Sequence, residues 1–179
     1  MSTTQQQTTD VPTGTWSLDP VHSNIGFAIK HNTVTTFQGS FGEFDATISD
    51  GRLEGMAKVA SVEVDDENLA GHLQTPDFFD AEQFPELRFA STGIERYGDG
   101  ISIPGALTIK GTTVPVELVG TVSGPVTDGY GKERIGLDLQ TTIDRHDFGV
   151  SWNADLPGGA KTLADDITIT ANIALVQAG

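Results

Sequence analysis

Apolar residues recur at every second position along most of this chain. Ile25, Phe27 and Ile29 share one face of an extended segment, and Ile101, Ile103, Leu107 and Ile109 share another, with Gly105 at the interrupted position. Val114, Val116, Leu118 and Val122 repeat the pattern, as do Ile135, Leu137, Leu139 and Ile143, and then Ile167, Ile169, Ala171, Ile173 and Leu175. Successive side chains of a strand point to opposite faces, so this period marks half-buried antiparallel strands. Glycine-rich turns separate them: Tyr97-Gly98-Asp99-Gly100, Lys110-Gly111-Thr112-Thr113, Thr127 to Gly131, and Leu156-Pro157-Gly158-Gly159. The signals predict about eight strands with no long helix, which is an all-β barrel or sandwich. With 179 residues the chain can build one sizeable core. Gly39 and Gly42, in GSFGEF, read as bulges or bends that curl a strand round a barrel.

One stretch breaks the pattern. His72 to Thr92 holds Phe78, Phe79, Phe84 and Phe89, four of the nine Phe in the chain, between and around Pro76 and Pro85. Connections usually run over the surface and are polar, so an aromatic one must lie on something apolar. Either the core or a ligand cavity would serve. Asp65 to Leu73 alternates poorly and is compatible with a turn of helix. Thr75 reads as an N-cap, with Pro76 at the first helical position and Asp77 beside the positive end of the dipole. Pro85 stops such a helix near Phe84. The expected element is one short helix carrying Phe78 and Phe79 across the barrel or into one end.

Several function classes are excluded or disfavoured. There is no Cys, so thiol nucleophiles, disulfides and cysteine-based metal sites are out. A formal net charge of −15 repels nucleic acid and anionic membrane surfaces. No apolar run reaches the ~20 residues of a membrane span. Residues 1–14 lack basic residues and an apolar stretch, and read as a disordered tail rather than a secretory signal. Residues 15–179 then form the domain, and the expected location is cytoplasmic. His22, His31, His72 and His146 show no ligand spacing, so no metal site is expected. No GxSxG elbow or phosphate-cradling glycine loop occurs, and no catalytic residue is assigned. Asp144-Arg145-His146-Asp147 reads as a strand end with an internal salt bridge, or as a polar group at a cavity mouth with Arg145 offering donors to an anion.

Four segments together resemble a known family. They are WSLDPVHSNIGFAIKH (Trp16–His31), HLQTPDFFDAEQFPELRFAST (His72–Thr92), GALTIKGTTVPVEL (Gly105–Leu118) and TTIDRHDFGVSWNA (Thr141–Ala154). In this order they resemble the YceI-like, or lipocalin-like polyisoprenoid-binding, proteins across Trp16 to Val176. The resemblance implies an extended eight-stranded antiparallel barrel with a long apolar tunnel for an isoprenoid chain, such as a prenyl quinone or polyprenyl phosphate. It implies no catalytic residues and no cofactor beyond such a lipid. One departure stands out. Many members carry an Arg-Asp pair before, and an Arg after, the His-Leu dipeptide; this chain has Leu69, Ala70 and Gln74 there. That loss implies a less anionic ligand, or the removal of a surface ion pair at little cost.

The leading expectation is therefore a lipid carrier, store or sensor. The tunnel is assigned to Phe27, Ile29, Phe41, Phe89, Leu107, Ile109, Leu137 and Phe148, closed by Phe78, Phe79 and Phe84. His31, His72 and Arg145 would orient the head group at its polar mouth. The expected partner is an isoprenoid or prenyl-quinone-like lipid, with no stable membrane insertion and with a homodimer left open. Two alternatives remain: an enzyme using His31, His72 or Asp144 as acid or base on a hydrophobic substrate, and a ligand-free structural or stress-related module whose barrel is full.

Overall fold

The structure is a computed structural model and describes residues 13–178. Most of the tail expected over residues 1–14 lies outside them. Of its described part, the Thr13 carbonyl accepts the Trp16 indole N–H at 2.9 Å.

Twelve strands form one sheet: β1 Trp16–Leu18, β2 Asn24–His31, β3 Thr35–Phe41, β4 Phe44–Ser49, β5 Arg52–Lys58, β6 Val62–Glu63, β7 Glu86–Ser91, β8 Glu95–Tyr97, β9 Gly100–Ile109, β10 Thr112–Thr127, β11 Glu133–Asp144 and β12 Leu163–Gln177. The order β1-β4-β5-β7-β9-β10-β11-β12 closes on itself, because β12 also pairs with β1. The result is an eight-stranded antiparallel barrel. The remaining short strands are mostly continuations. β2 extends β1 past a 3-10 turn at Pro20–His22, β3 leads into β4 through a break at Gly42 and Glu43, and β6 follows β5 after a 3-10 turn at Val59–Ser61. The expectation of eight strands thus describes the ring, and the extra segments record three kinks in it.

The kinks divide the barrel into two tiers. Below them, Trp16, Ile48, Leu53, Ile101, Ile103, Ile135, Leu137, Leu139 and Leu175 fill the lumen. Above them, rows of inward side chains cross several strands in register. Ala171, Ile25, Phe41 and Val62 form one row, which continues across β11 into Leu139 of the filled tier, and Ile143, Ile167, Ile29 and Phe37 form another. Arg134 staples the filled end from outside, donating to Asp19 at 2.8 Å and to Asp128 at 2.6 Å. It holds both carboxyls down to a pKa of about 2, from 3.8.

Two glycines are dictated by close approach. A Cβ on Gly105 would lie 2.5 Å from the Ala90 carbonyl oxygen across the β7–β9 pair, which explains the interruption in the alternating pattern. A Cβ on Gly39 would lie 2.4 Å from the Phe27 ring, in a stretch of β3 whose register is unbroken. Gly39 therefore seats an aromatic ring and is not a bulge, whereas Gly42 lies at the β3–β4 break.

The helix lies earlier than expected. α1 spans Glu67–Leu73, and Asp66 caps it by accepting from the Asn68 and Leu69 amides at 2.8 and 3.1 Å. Thr75 does not begin a helix. Its hydroxyl donates to the His72 carbonyl at 2.6 Å, closing the end of α1. Phe78 and Phe79 then sit in turns, with the Asp80 amide bonded to the Thr75 carbonyl at 2.9 Å and Asp80 at φ 52°. Asp66 supplies the stronger cap to the segment that lacks proline, and that decides which half is helical.

Candidate functional site

The upper tier encloses a cavity of about 530 Å³. This falls within the usual range for sites that bury a small ligand, roughly 300–1,000 Å³. Its walls come from β2, β3, β4, β5, β7, β9, β10, β11 and β12, and its roof from α1 and the connection after it. The roof is fastened at its edge: Lys110, in the turn between β9 and β10, donates to the Pro76 carbonyl at 2.5 Å.

Nine of the eleven residues assigned to the tunnel line this cavity: Phe27, Ile29, Phe41, Phe78, Phe79, Phe89, Leu107, Ile109 and Phe148. Two do not. Leu137 is 2% exposed within the filled tier, because its face of β11 meets Val122, Ile135 and Ile173 at that height. Phe84 packs instead over the β9–β10 turn, where a Cβ on Gly111 would come within 2.5 Å of its ring. Several lining residues escaped the sequence reading. Phe37 was legible, since it shares a face with Gly39 and Phe41. Trp152 was not, because it lies outside any alternating run.

The roof is an aromatic cluster. His72 stands edge-on to Phe78 and to Trp152, with centroids 4.9 and 5.0 Å apart, and Phe78 lies 5.4 Å from Trp152. Edge-to-face pairs at these distances exceed simple area burial in strength. On the exposed side the His72 imidazole meets the Asp77 carboxylate at 3.0 Å. Phe79 reaches Phe41 at 6.1 Å, and Phe41 reaches Phe27 at 5.7 Å. Aromatic contacts thus run from the roof into the wall.

His31, His72 and Arg145 all line the cavity. They differ in what they can do. His31 ends β2 and is half-buried, opposite Leu163. Arg145 is 1% exposed in a 3-10 turn spanning Arg145–Phe148. Its Nε donates to the Ala164 carbonyl, and its Nη1 to those of Val150 and Trp152, each at 2.8 Å. The polar pairing within this segment is made by the His146 ring, whose Nδ1 lies 2.9 Å from the Asp144 carboxylate and 3.6 Å from that of Asp165. Among the described residues no carboxylate lies within ion-pair distance of Arg145. Burial lowers its pKa, and the fields of Asp165 and Asp144 oppose that. Asp144 is held low chiefly by the His146 amide and ring, and it does not line the cavity. Among the described residues no cluster of His, Asp and Glu could hold a metal ion, and no helix is long and apolar enough to cross a membrane.

Residues 16–175 match the family model of the YceI-like domain. The chain belongs to the YceI-like family. Curated relatives include a UPF0312 protein of Photorhabdus laumondii, 30% identical over 83% of this chain and 79% of that one. Protein YceI of Salmonella newport is 30% identical over 73% of this chain and 72% of its own length. Among solved structures, the Campylobacter jejuni YceI protein superposes with a TM-score of 0.73 at 28% identity, over 90% of this chain and 97% of that one. A polyisoprenoid binding domain from Saccharophagus degradans, implicated in plant cell wall breakdown, shares the fold at 13% identity, with a TM-score of 0.69 over 91% and 98% of the two chains. The hollow upper tier of this YceI-like chain therefore sits in a barrel architecture found in several crystal structures.

Proposed function

We propose that this barrel takes up a long-chain isoprenoid lipid, of the prenyl quinone or polyprenyl phosphate kind, and acts as its carrier, store or sensor. The observation that carries this reading is the contrast between the tiers. One sequence pattern fills the lower lumen with Ile and Leu and leaves the upper lumen open, walled almost wholly by apolar side chains. A folding domain that needed only a core would close that space, because an empty apolar cavity costs stability. The Saccharophagus degradans domain, named for polyisoprenoid binding, supports the choice of ligand class.

The energetics are adequate. A tail of roughly 20–40 carbons at about 0.3 kcal/mol per heavy atom gains on the order of 6–12 kcal/mol, or tens of micromolar to nanomolar affinity. No bond need form or break. The test is native mass spectrometry and organic extraction of the purified protein. A co-purifying prenyl lipid is the expected result. A protein that emerges empty and takes up neither prenyl quinones nor prenyl phosphates refutes the reading.

A further inference from the structure

The Arg145 guanidinium carries five N–H donors. Three are spent on the Ala164, Val150 and Trp152 carbonyls, which lock the side chain in one orientation. The two on Nη2 have no partner, although the atom is buried. A buried donor without an acceptor carries the full cost of lost hydration, and a buried cation without a counterion carries more. Native interiors rarely tolerate either, so such a group calls for an explanation. Here both coincide in one side chain. Among the described residues, Arg145 is also the buried charged residue of the cavity wall.

The neighbouring charges do not supply the missing contact. Asp144 and Asp165 are engaged by His146, and act on Arg145 only through space. On the roof, Leu69 presents an apolar side chain to the cavity. Arg88 on β7 also lines the cavity, but it is exposed and paired with Glu86, so the buried charge that could meet a polar head group inside is Arg145, beyond Ile143.

We propose that Nη2 of Arg145 is the docking point for an oxyanion head group, a carboxylate or a phosphate monoester, on the lipid that fills the cavity. This rests on the lipid-binding reading above and adds to it a polarity for the ligand. The head lies inside against Arg145 while the tail follows the Phe and Ile rows. An oxyanion supplies both the acceptor and the counter-charge; an alcohol or a quinone carbonyl supplies only the acceptor. Charge-assisted hydrogen bonds from a preoriented guanidinium are the stronger kind.

The test uses the full chain, delipidated, and three probes that share one tail: geranylgeraniol, geranylgeranoic acid and geranylgeranyl monophosphate. Affinities are read by titration on the wild-type protein, which requires no variant to fold. Either anion binding about tenfold or more tighter than the alcohol is the expected result. A gain for the phosphate alone narrows the head group to phosphate, and a gain for both extends it to carboxylates. Arg145→Gln should bring the anions down to the affinity of the alcohol and leave the alcohol unchanged. A shift of the Arg145 side-chain ¹⁵N resonances on adding the anions gives the same answer without substitution. Equal affinity of all three probes overturns the docking point and leaves lipid binding intact. A gain that persists in folded Arg145→Gln also overturns it. Failure of every probe to bind strikes the lipid-binding reading instead.

Discussion

Ala171→Phe separates a hollow barrel from a filled one by the sign of its effect. Ala171 lies on β12 between Leu139 and Ile25, at the floor of the cavity. A phenyl ring added there enters open space. Burying it is worth about 1.5–3 kcal/mol, against roughly 0.5–1 kcal/mol of lost rotamer freedom. The folded state should gain about 1 kcal/mol, which for a chain of this length raises Tm by about 2–4 °C. The same ring removes room for about six ligand atoms. At about 0.3 kcal/mol each, that is about 2 kcal/mol, or a roughly 30-fold loss of affinity. Were the upper tier as full as the lower one, overpacking would cost about 1–3 kcal/mol and Tm would fall. Differential scanning calorimetry and titration with geranylgeraniol read the two quantities. A lowered Tm, or an affinity equal to wild type, refutes the reasoning.

The other expectations address different parts of the molecule. Asp19 and Asp128 hold depressed pKa values of about 2 in the folded state, against 3.8 unperturbed. Their contribution is therefore present above the unfolded value and is lost as pH falls from about 4 to about 2; Arg134→Met should flatten that part of an acid-unfolding profile and leave ligand affinity alone. Phe84→Ala should lower stability without changing affinity, since its ring covers Gly111 outside the cavity, whereas Phe78→Ala should weaken uptake. Of the two Trp in the chain, Trp152 lines the cavity and Trp16 sits in the filled tier. Lipid binding should change the emission of Trp16→Phe protein and leave that of Trp152→Phe protein nearly constant.

What could be read from the sequence follows from how local each signal is. Period-two alternation is a property of neighbouring residues, so β2 and β9 to β12 were visible in it, whereas β1, β4, β5 and β7, three to seven residues long, gave no such run. Height along the barrel axis is not local. Leu137 and Leu139 alternate as Ile143 does, yet only the closure of β12 on β1 places them below the cavity floor. The helix was misplaced for a related reason. Thr75-Pro76-Asp77 is a fair start signal, but the hydroxyl of Thr75 is drawn back to the end of α1 by a helix that Asp66 has already begun. The role of Arg145 depends on carbonyls five to nineteen residues away in a loop without periodicity, and no local pattern announces them.

The kinks after β1, β3 and β5 have a consequence for how such a protein can change. They separate the residues that keep the barrel folded from those that choose its contents. Substitutions among the upper rows can reshape the space while the lower tier and its Arg134 staple carry the burden of folding. A barrel of this design can diversify its cargo by accumulating changes at one end, without first acquiring a reserve of stability to absorb them.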